Sequence, residues 1–438
     1  METDPSLNDN NHLKRSLGLA TVVALGLNCV IGQGIFLLPG KAAQLMGPGA
    51  LWAFVLAAVL CLLISLCFAE VSSRFEQTGG AYLYAQRAFG DFVGFEVGWM
   101  TCCVAVIGWA ALANGFTEVL ATVIPGVSQG WQQPVIAIGL VTLLTIINLC
   151  GVRSGARIVN VFTVAKLIPI ALFVVIGLFH IDGSRYVPFT PHGVAPLADT
   201  TLLLLYAFAG FENMVVPAGE MNNPKRSVPL ALCLVMAVVS VVYISVYCVA
   251  TGTFTEIAGH GNPVAAAAGQ FMGPVGGLFI AVGICLSVLG TNAVTALINP
   301  RRFYAMAERR DLPKALGWVH PKTGAPVAAI VVTWGLVSLL TLSGTFEELA
   351  VLSVIARFVQ YIPTCLAVLV LRRDDASPRD GFVLPLGPVI PLVTVGLCGW
   401  LLLEKFLSKP EAIYQGLIAL AVGVPLYALS RFWLRRQS

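Results

Sequence analysis

The sequence predicts an all-α membrane protein whose chain crosses the bilayer twelve times. Composition is the first observation behind that prediction: 57% of the 438 residues are hydrophobic and 11% are charged. A soluble globular chain carries about a quarter charged residues, so 26 Lys and Arg with 22 Asp and Glu cannot cover a water-facing surface of this size. Length is the second. Apolar runs of about 20 residues recur, enough to cross roughly 30 Å of hydrocarbon at about 1.5 Å per residue. The third is the uneven placement of positive charge between those runs.

In chain order the spans are expected near residues 17–38, 49–71, 91–123, 133–151, 157–178, 198–220, 228–252, 274–305, 325–343, 347–371, 382–404 and 413–434. An even count returns both termini to one side. On that side fall 20 of the 26 Lys and Arg, among them Lys14, Arg15, Arg226, Arg301, Arg302, Arg309 and Arg310. Four lie on the other side, Lys41, Arg185, Lys405 and Lys409, while Lys166 and Arg357 stand inside spans. The positive-inside rule then places both termini in the cytoplasm; the membrane is read as a cell membrane, the inner membrane of a bacterium. The connection from Asn299, "NPRRFYAMAERRDLPKALGWVHPKTGAP", is basic and partly amphipathic and reads as a short interfacial helix.

Other classes fall away. The polar start "METDPSLNDNNHLKR" has neither an apolar stretch nor a small-residue cleavage site, so it is not a signal peptide. The eleven cysteines lie in apolar segments without CxxC spacing and read as small core residues rather than disulfides or metal ligands. His12, His180, His192, His260 and His320 lie in tails or loops, so no nucleophile–base pairing or metal spacing suggests an enzyme. No GxxxxGK[ST] loop is present for nucleotide-driven pumping. No cofactor is expected, no nucleic-acid partner, and a monomer or weak homo-oligomer in the lipid bilayer.

Two spans are damaged. The first reads "GLNCVIGQGIF" through its middle, with Gly26, Gly32 and Gly34; each glycine costs a helix interior about 1 kcal/mol relative to alanine. The sixth, "LLLLYAFAGFENMVVPAGE", holds Gly210, Glu212, Asn213 and Pro217. Broken backbone at membrane depth persists only where it lines a cavity or meets protein. Two such helices, about 180 residues apart, fit a repeat of five spans, 1–5 against 6–10, with 11 and 12 appended. The expected units are a tail, 1–16, repeats at 17–178 and 198–371, and helices 11 and 12 with a short tail, 382–438. Around Gly32, Gln33 and Gly34 the second half of span one presents free N–H groups and a positive dipole end, a seat for a carboxylate. Carbonyls near Val30, Ile31, Phe208 and Ala209 can accept from an ammonium. An α-amino acid offers both groups on one carbon.

At these residues the sequence resembles a known family. "GLNCVIGQGIFLLPG", "AEVSSRFEQTGGAYLYAQRAFG", "YAFAGFENMVVPAGEMNNPKRSVP" and "RRFYAMAERRDLPKALGWVHPKTGAP" look like the amino acid–polyamine–organocation (APC) superfamily of permeases, over nearly the whole chain and in the family's order. The resemblance implies a twelve-helix, five-plus-five inverted-repeat fold of the leucine-transporter type, with discontinuous helices 1 and 6, working by alternating access. It implies that Ile31–Ile35 binds a substrate carboxylate, that Phe208–Gly210 carbonyls take the amino group, and that Tyr206 is an aromatic gate. Lys166 resembles the span-five lysine that sodium-independent members carry where sodium-coupled relatives hold the ion. Its ammonium would satisfy freed carbonyls near Gly26, either as a fixed tether or as a proton carrier. Glu212 resembles an acidic residue used in gating and pH response.

Pocket side chains are expected from spans three and eight: Thr101, Cys102, Ala105 and Val106, then Ser287, Thr291 and Asn292. Arg357 is expected to meet a carboxylate or carbonyl, and Glu118 to lie near the outer interface. No acidic residue is expected at pocket depth on either span, which disfavours a cationic side chain. The sequence thus reads as a secondary active transporter of small to medium neutral L-amino acids, without sodium, by proton symport or exchange. A carrier of cationic amino acids or polyamines, and a non-transporting amino acid sensor, are the alternatives.

Overall fold

In the computed structural model the described residues are 17–149, 152–343, 346–374 and 381–435. The expected tail 1–16 lies outside them. Among the described residues the chain forms helices and turns, with one isolated bridge between Leu17 and Met221.

The first apolar run is split, as its glycines demand. Helix α1 (Leu19–Val30) ends at Ile31, and α2 (Gly34–Met46) begins after the non-helical stretch Ile31–Gln33. A turn at Gly47–Gly49 leads into α3 (Ala50–Ser72). Together these form an apolar stretch of 54 residues, roughly 80 Å if it were one straight helix, so it cannot be a single crossing. A nine-residue helix not expected from hydropathy, α4 (Ala81–Phe89), precedes α5 (Asp91–Leu120), α6 (Gln132–Leu149) and α7 (Val152–Leu178).

The second half repeats the theme with a deeper break. Helix α8 (Leu197–Phe208) stops well short of residue 220. Ala209 is extended, Gly210 has φ +115°, and only short 3₁₀ turns follow, at Phe211–Asn213 and Ala218–Glu220. A Cβ on Gly210 would lie 2.4 Å from the Cys29 carbonyl oxygen; the positive φ and this close approach both require glycine. The two breaks therefore touch.

Next come α9 (Pro224–Thr253), α10 (Pro263–Glu308), α11 (Val327–Thr341), α12 (Phe346–Asp374), α13 (Val389–Ser408) and α14 (Pro410–Arg435). α10 is interrupted at Gly273 (φ 73°) and then runs to Glu308. Arg301 and Arg302, counted from hydropathy with the charges of a connecting segment, are thus buried helix residues. The expected interfacial helix after Asn299 is instead the end of α10 followed by a 3₁₀ turn, Lys314–Gly317. α13 starts seven residues later than expected because Pro385 and Pro388 flank two positive-φ residues, Leu386 and Gly387.

Eight helical stretches among the described residues are long and apolar enough to cross a membrane, and Phe162–Leu178 and Val327–Thr341 are shorter apolar helices. α1 packs on α7, α9 and α10; α2 packs on α8 and α10. The broken segments thus pack against each other and against α7, α9 and α10. Many aliphatic side chains point outward, such as Leu143, Val164, Val241 and Leu278, as a hydrocarbon-facing surface permits.

Candidate functional site

Between the two breaks lies a small cavity of about 40 Å³, lined by residues from both. Of the residues expected there, Val30, Gly32, Gln33, Gly34, Ala105, Tyr206, Ala209, Gly210 and Thr291 line it. Expected residues Ile31, Ile35, Thr101, Cys102, Val106, Phe208, Ser287 and Asn292 are not among its lining residues.

Each departure has a local reason. α5 presents Val104, Ala105, Gly108, Trp109 and Leu112, about one turn further along than expected. The Thr101 hydroxyl instead donates to the Gly98 carbonyl (2.8 Å), and Cys102 faces Met306. Phe208 packs edge-on against Tyr243. Asn292 donates to the Val288 and Leu112 carbonyls. Ser287 donates to the Ile31 carbonyl (3.3 Å).

The first break is stitched by donors from other helices. Lys166 is fully buried, with Nζ 2.6 Å from the Ile31 carbonyl, 3.2 Å from Thr291 Oγ1 and 3.4 Å from the Asn28 carbonyl. Its contacts are therefore with the last turn of α1 rather than near Gly26, whose open face is filled by Met214 and Val235. The Thr291 hydroxyl lies within hydrogen-bonding distance of the Asn28 and Ile31 carbonyls. Tyr243 donates to the Val30 carbonyl at 2.9 Å, and Gly32 N–H donates to the same group. What remains are the N–H groups of Gln33 and Gly34, which find no acceptor among the described residues. They stand at the start of α2, where orphan donors and the helix dipole favour an anion.

The second break is held from inside. Glu212 Oε2 accepts from Gly210 N–H (2.9 Å) and from the Tyr361 hydroxyl (3.0 Å); Oε1 accepts from Arg357 Nε at 2.8 Å. Arg357 meets a carboxylate, and it also lines the cavity. The Ala209 carbonyl carries no donor among the described residues.

Gln33 joins both regions, donating to the Ala111 carbonyl (3.0 Å) and to the Tyr206 hydroxyl (3.2 Å). The glycines divide by role. A Cβ on Gly34 would lie 2.7 Å from Ala207 Cα, so on its Cα side this glycine permits close contact between α2 and α8. A Cβ on Gly32 would meet Thr291 Cγ2 at 3.3 Å and Leu112 at 3.7 Å, on the cavity side.

Sequence reading passed over Trp109, Asn213, Thr295, Asn299 and Arg302 as cavity residues. A signal for three of them was present. Thr291, Thr295, Asn299 and Arg302 follow at intervals of four, four and three, a polar stripe along one face of an otherwise apolar helix. None of the lining residues is acidic, and among the described residues no cluster of potential ligands could hold a metal ion.

This interrupted-helix cavity coincides with a family assignment. The amino acid permease family profile matches residues 17–423. The chain belongs to the amino acid permease family. It is similar to the serine/threonine exchanger SteT of Bacillus subtilis, 30% identical over 435 residues, which is 96% of this chain and 97% of that protein. The branched-chain amino acid permease BcaP of the same organism is 29% identical, covering 95% of this chain and 93% of that one. Human cationic amino acid transporter 4 is 29% identical over 84% of this chain and 61% of its own length. Family and relatives are transporters and not enzymes. This permease is a multi-pass membrane protein.

Proposed function

We propose that this permease carries small to medium neutral L-amino acids, without sodium, by alternating access through the cavity between the two breaks. The single observation behind this reading is the pairing of unspent backbone groups. Gln33 and Gly34 N–H groups are available to a carboxylate, and the Ala209 carbonyl to an ammonium, in one cavity. The absence of an acidic side chain from the lining supports a neutral over a cationic substrate. The relatives' names range across serine/threonine, branched-chain and cationic amino acids and methylthioribose, so substrate choice is argued from the cavity alone.

The proposed architecture is twelve crossings with both termini cytoplasmic in a cell membrane. Repeats 17–178 and 198–371 are related by inversion and followed by 382–438. The split of the 54-residue stretch and the break at Gly273 support dividing the chain this way. Sodium independence is argued from Lys166. Its ammonium occupies the carbonyls of Asn28 and Ile31, hard oxygen ligands that a small cation would otherwise need. Ser287, Thr291 and Lys166 are then residues that position the first break, and Glu212 holds the second.

Uptake of labelled neutral amino acids into liposomes carrying the purified protein tests the reading. Uptake that needs internal amino acid and ignores a pH gradient identifies an exchanger with Lys166 as a fixed tether. Accumulation in empty liposomes only with acid outside identifies proton symport, with Lys166 and Glu212 as proton carriers. Uptake that requires sodium, or none in any arrangement, overturns the proposal.

A further inference from the structure

Three buried arginines lie in or beside the site, and two of them form direct ion pairs. Arg301 pairs with Glu220, Nε to Oε1 at 2.5 Å, and Arg357 pairs with Glu212. Arg302 is different. It is 4% exposed and lines the cavity, yet among the described residues it makes no ion pair. Its Nη2 donates to Asn213 Oδ1 (2.5 Å) and its Nη1 reaches the Thr101 carbonyl at 3.5 Å, while Nε has no partner. Trp109, 1% exposed and in the same lining, likewise has an indole N–H without an acceptor.

Buried donors without acceptors are costly to keep, all the more on a guanidinium. The α2 N-terminus already offers the substrate carboxylate a seat, and the Ala209 carbonyl serves the amino group. An aliphatic substrate side chain would add apolar contact and leave both donors unmet. An oxygen on that side chain would meet them. Sites built to bind a polar group discriminate strongly against isosteres that lack it.

We infer that Arg302 is a specificity-determining residue whose guanidinium takes an oxygen acceptor on the side chain of the transported amino acid. This rests on the proposed reading of the cavity as an amino acid site and deepens it. The oxygen is the hydroxyl or amide oxygen of a neutral polar amino acid; the carboxylate of an acidic one would meet the same donors and would overturn the neutral reading. Trp109 supplies a second donor to the same group.

The test is competition against labelled substrate on the purified full-length protein, using pairs of near-equal shape: threonine against valine, asparagine against leucine, aspartate against leucine. The expected result is that at least one oxygen-bearing member competes about tenfold or more tightly than its partner, the size of a hydrogen bond to a charged group. Asparagine against aspartate then separates the neutral from the acidic source. In Arg302→Met that preference falls to within about threefold, and in Arg302→Lys it is partly kept. Aliphatic members winning every pair overturns the inference. An equal loss for all competitors in Arg302→Met also overturns it, because the residue would then be structural. Should Arg302→Met aggregate, the wild-type ranking decides by itself. If no amino acid competes at all, the transport reading fails and takes this inference with it.

Discussion

The two breaks solve one problem with opposite chemistry. At the first, the exposed carbonyls of Asn28 and Ile31 are met by a cation and two hydroxyls from distant helices, Lys166, Ser287 and Thr291. At the second, the N–H of Gly210 is met by an anion two residues along the chain, Glu212, which Arg357 and Tyr361 then hold. After this stitching the first break has donors left at Gln33 and Gly34, and the second an acceptor at Ala209. The difference shows how an interrupted helix can be both stable in an apolar interior and left with the polarity a zwitterion needs.

Substitutions that remove the stitching should separate the two breaks. Glu212→Ala leaves Arg357 buried without its counter-charge and should cost the most, about 3–5 kcal/mol by thermal unfolding in detergent. A change under about 1 kcal/mol would show that the second break does not depend on this pair. Lys166→Met should cost less, about 1–3 kcal/mol, because Thr291 and Ser287 still reach the Ile31 carbonyl. Transport by this variant should nevertheless fall by tenfold or more as the α1 end loosens; unaltered uptake would make the lysine dispensable to the first break.

The glycines sharpen the comparison further. Gly34→Ala should destabilise by about 1–3 kcal/mol through overpacking against Ala207, with Ala207→Gly restoring part of the loss in the double variant. Gly32→Ala instead presses on Thr291 and the cavity. It should weaken substrate binding in a direct binding assay with a smaller effect on unfolding than Gly34→Ala; the reverse order would exchange their roles. The smallest effect is expected of Thr101→Val. Its hydroxyl serves only the Gly98 carbonyl of its own helix, so affinity should stay within about twofold.

Much of this layout was legible in the chain because glycine and proline within apolar runs carry a backbone message that hydropathy alone lacks. The interruptions around Gly32–Gly34 and at Gly210 followed from residue type and depth; a lysine on freed carbonyls was expected near Gly26 and meets Asn28 and Ile31 instead. Side-chain facing did not. α5 is apolar almost all round, so no amphipathic period fixes its register, and choosing its polar Thr101 put the cavity face a turn away. Arg302 was missed for another reason: charge near a span end reads as loop, and nothing local says that α10 runs on to Glu308 with that residue turned inward. The packing role of Gly34 depends on Ala207, 173 residues away, a pairing only the folded chain reveals.

The account stands on both ends of an amino acid being held by backbone at the two breaks. The direct measurement is competition for binding by a substrate amino acid, its methyl ester and its N-acetyl derivative, on the purified protein. Esterifying the carboxylate removes the anion that the Gln33 and Gly34 N–H groups would hold; acetylating the amine removes the ammonium that would meet Ala209 and leaves a single amide N–H. The account predicts that both derivatives compete at least tenfold more weakly than the parent. Either one competing as well as the parent would contradict it, and would name the break that does not hold the substrate.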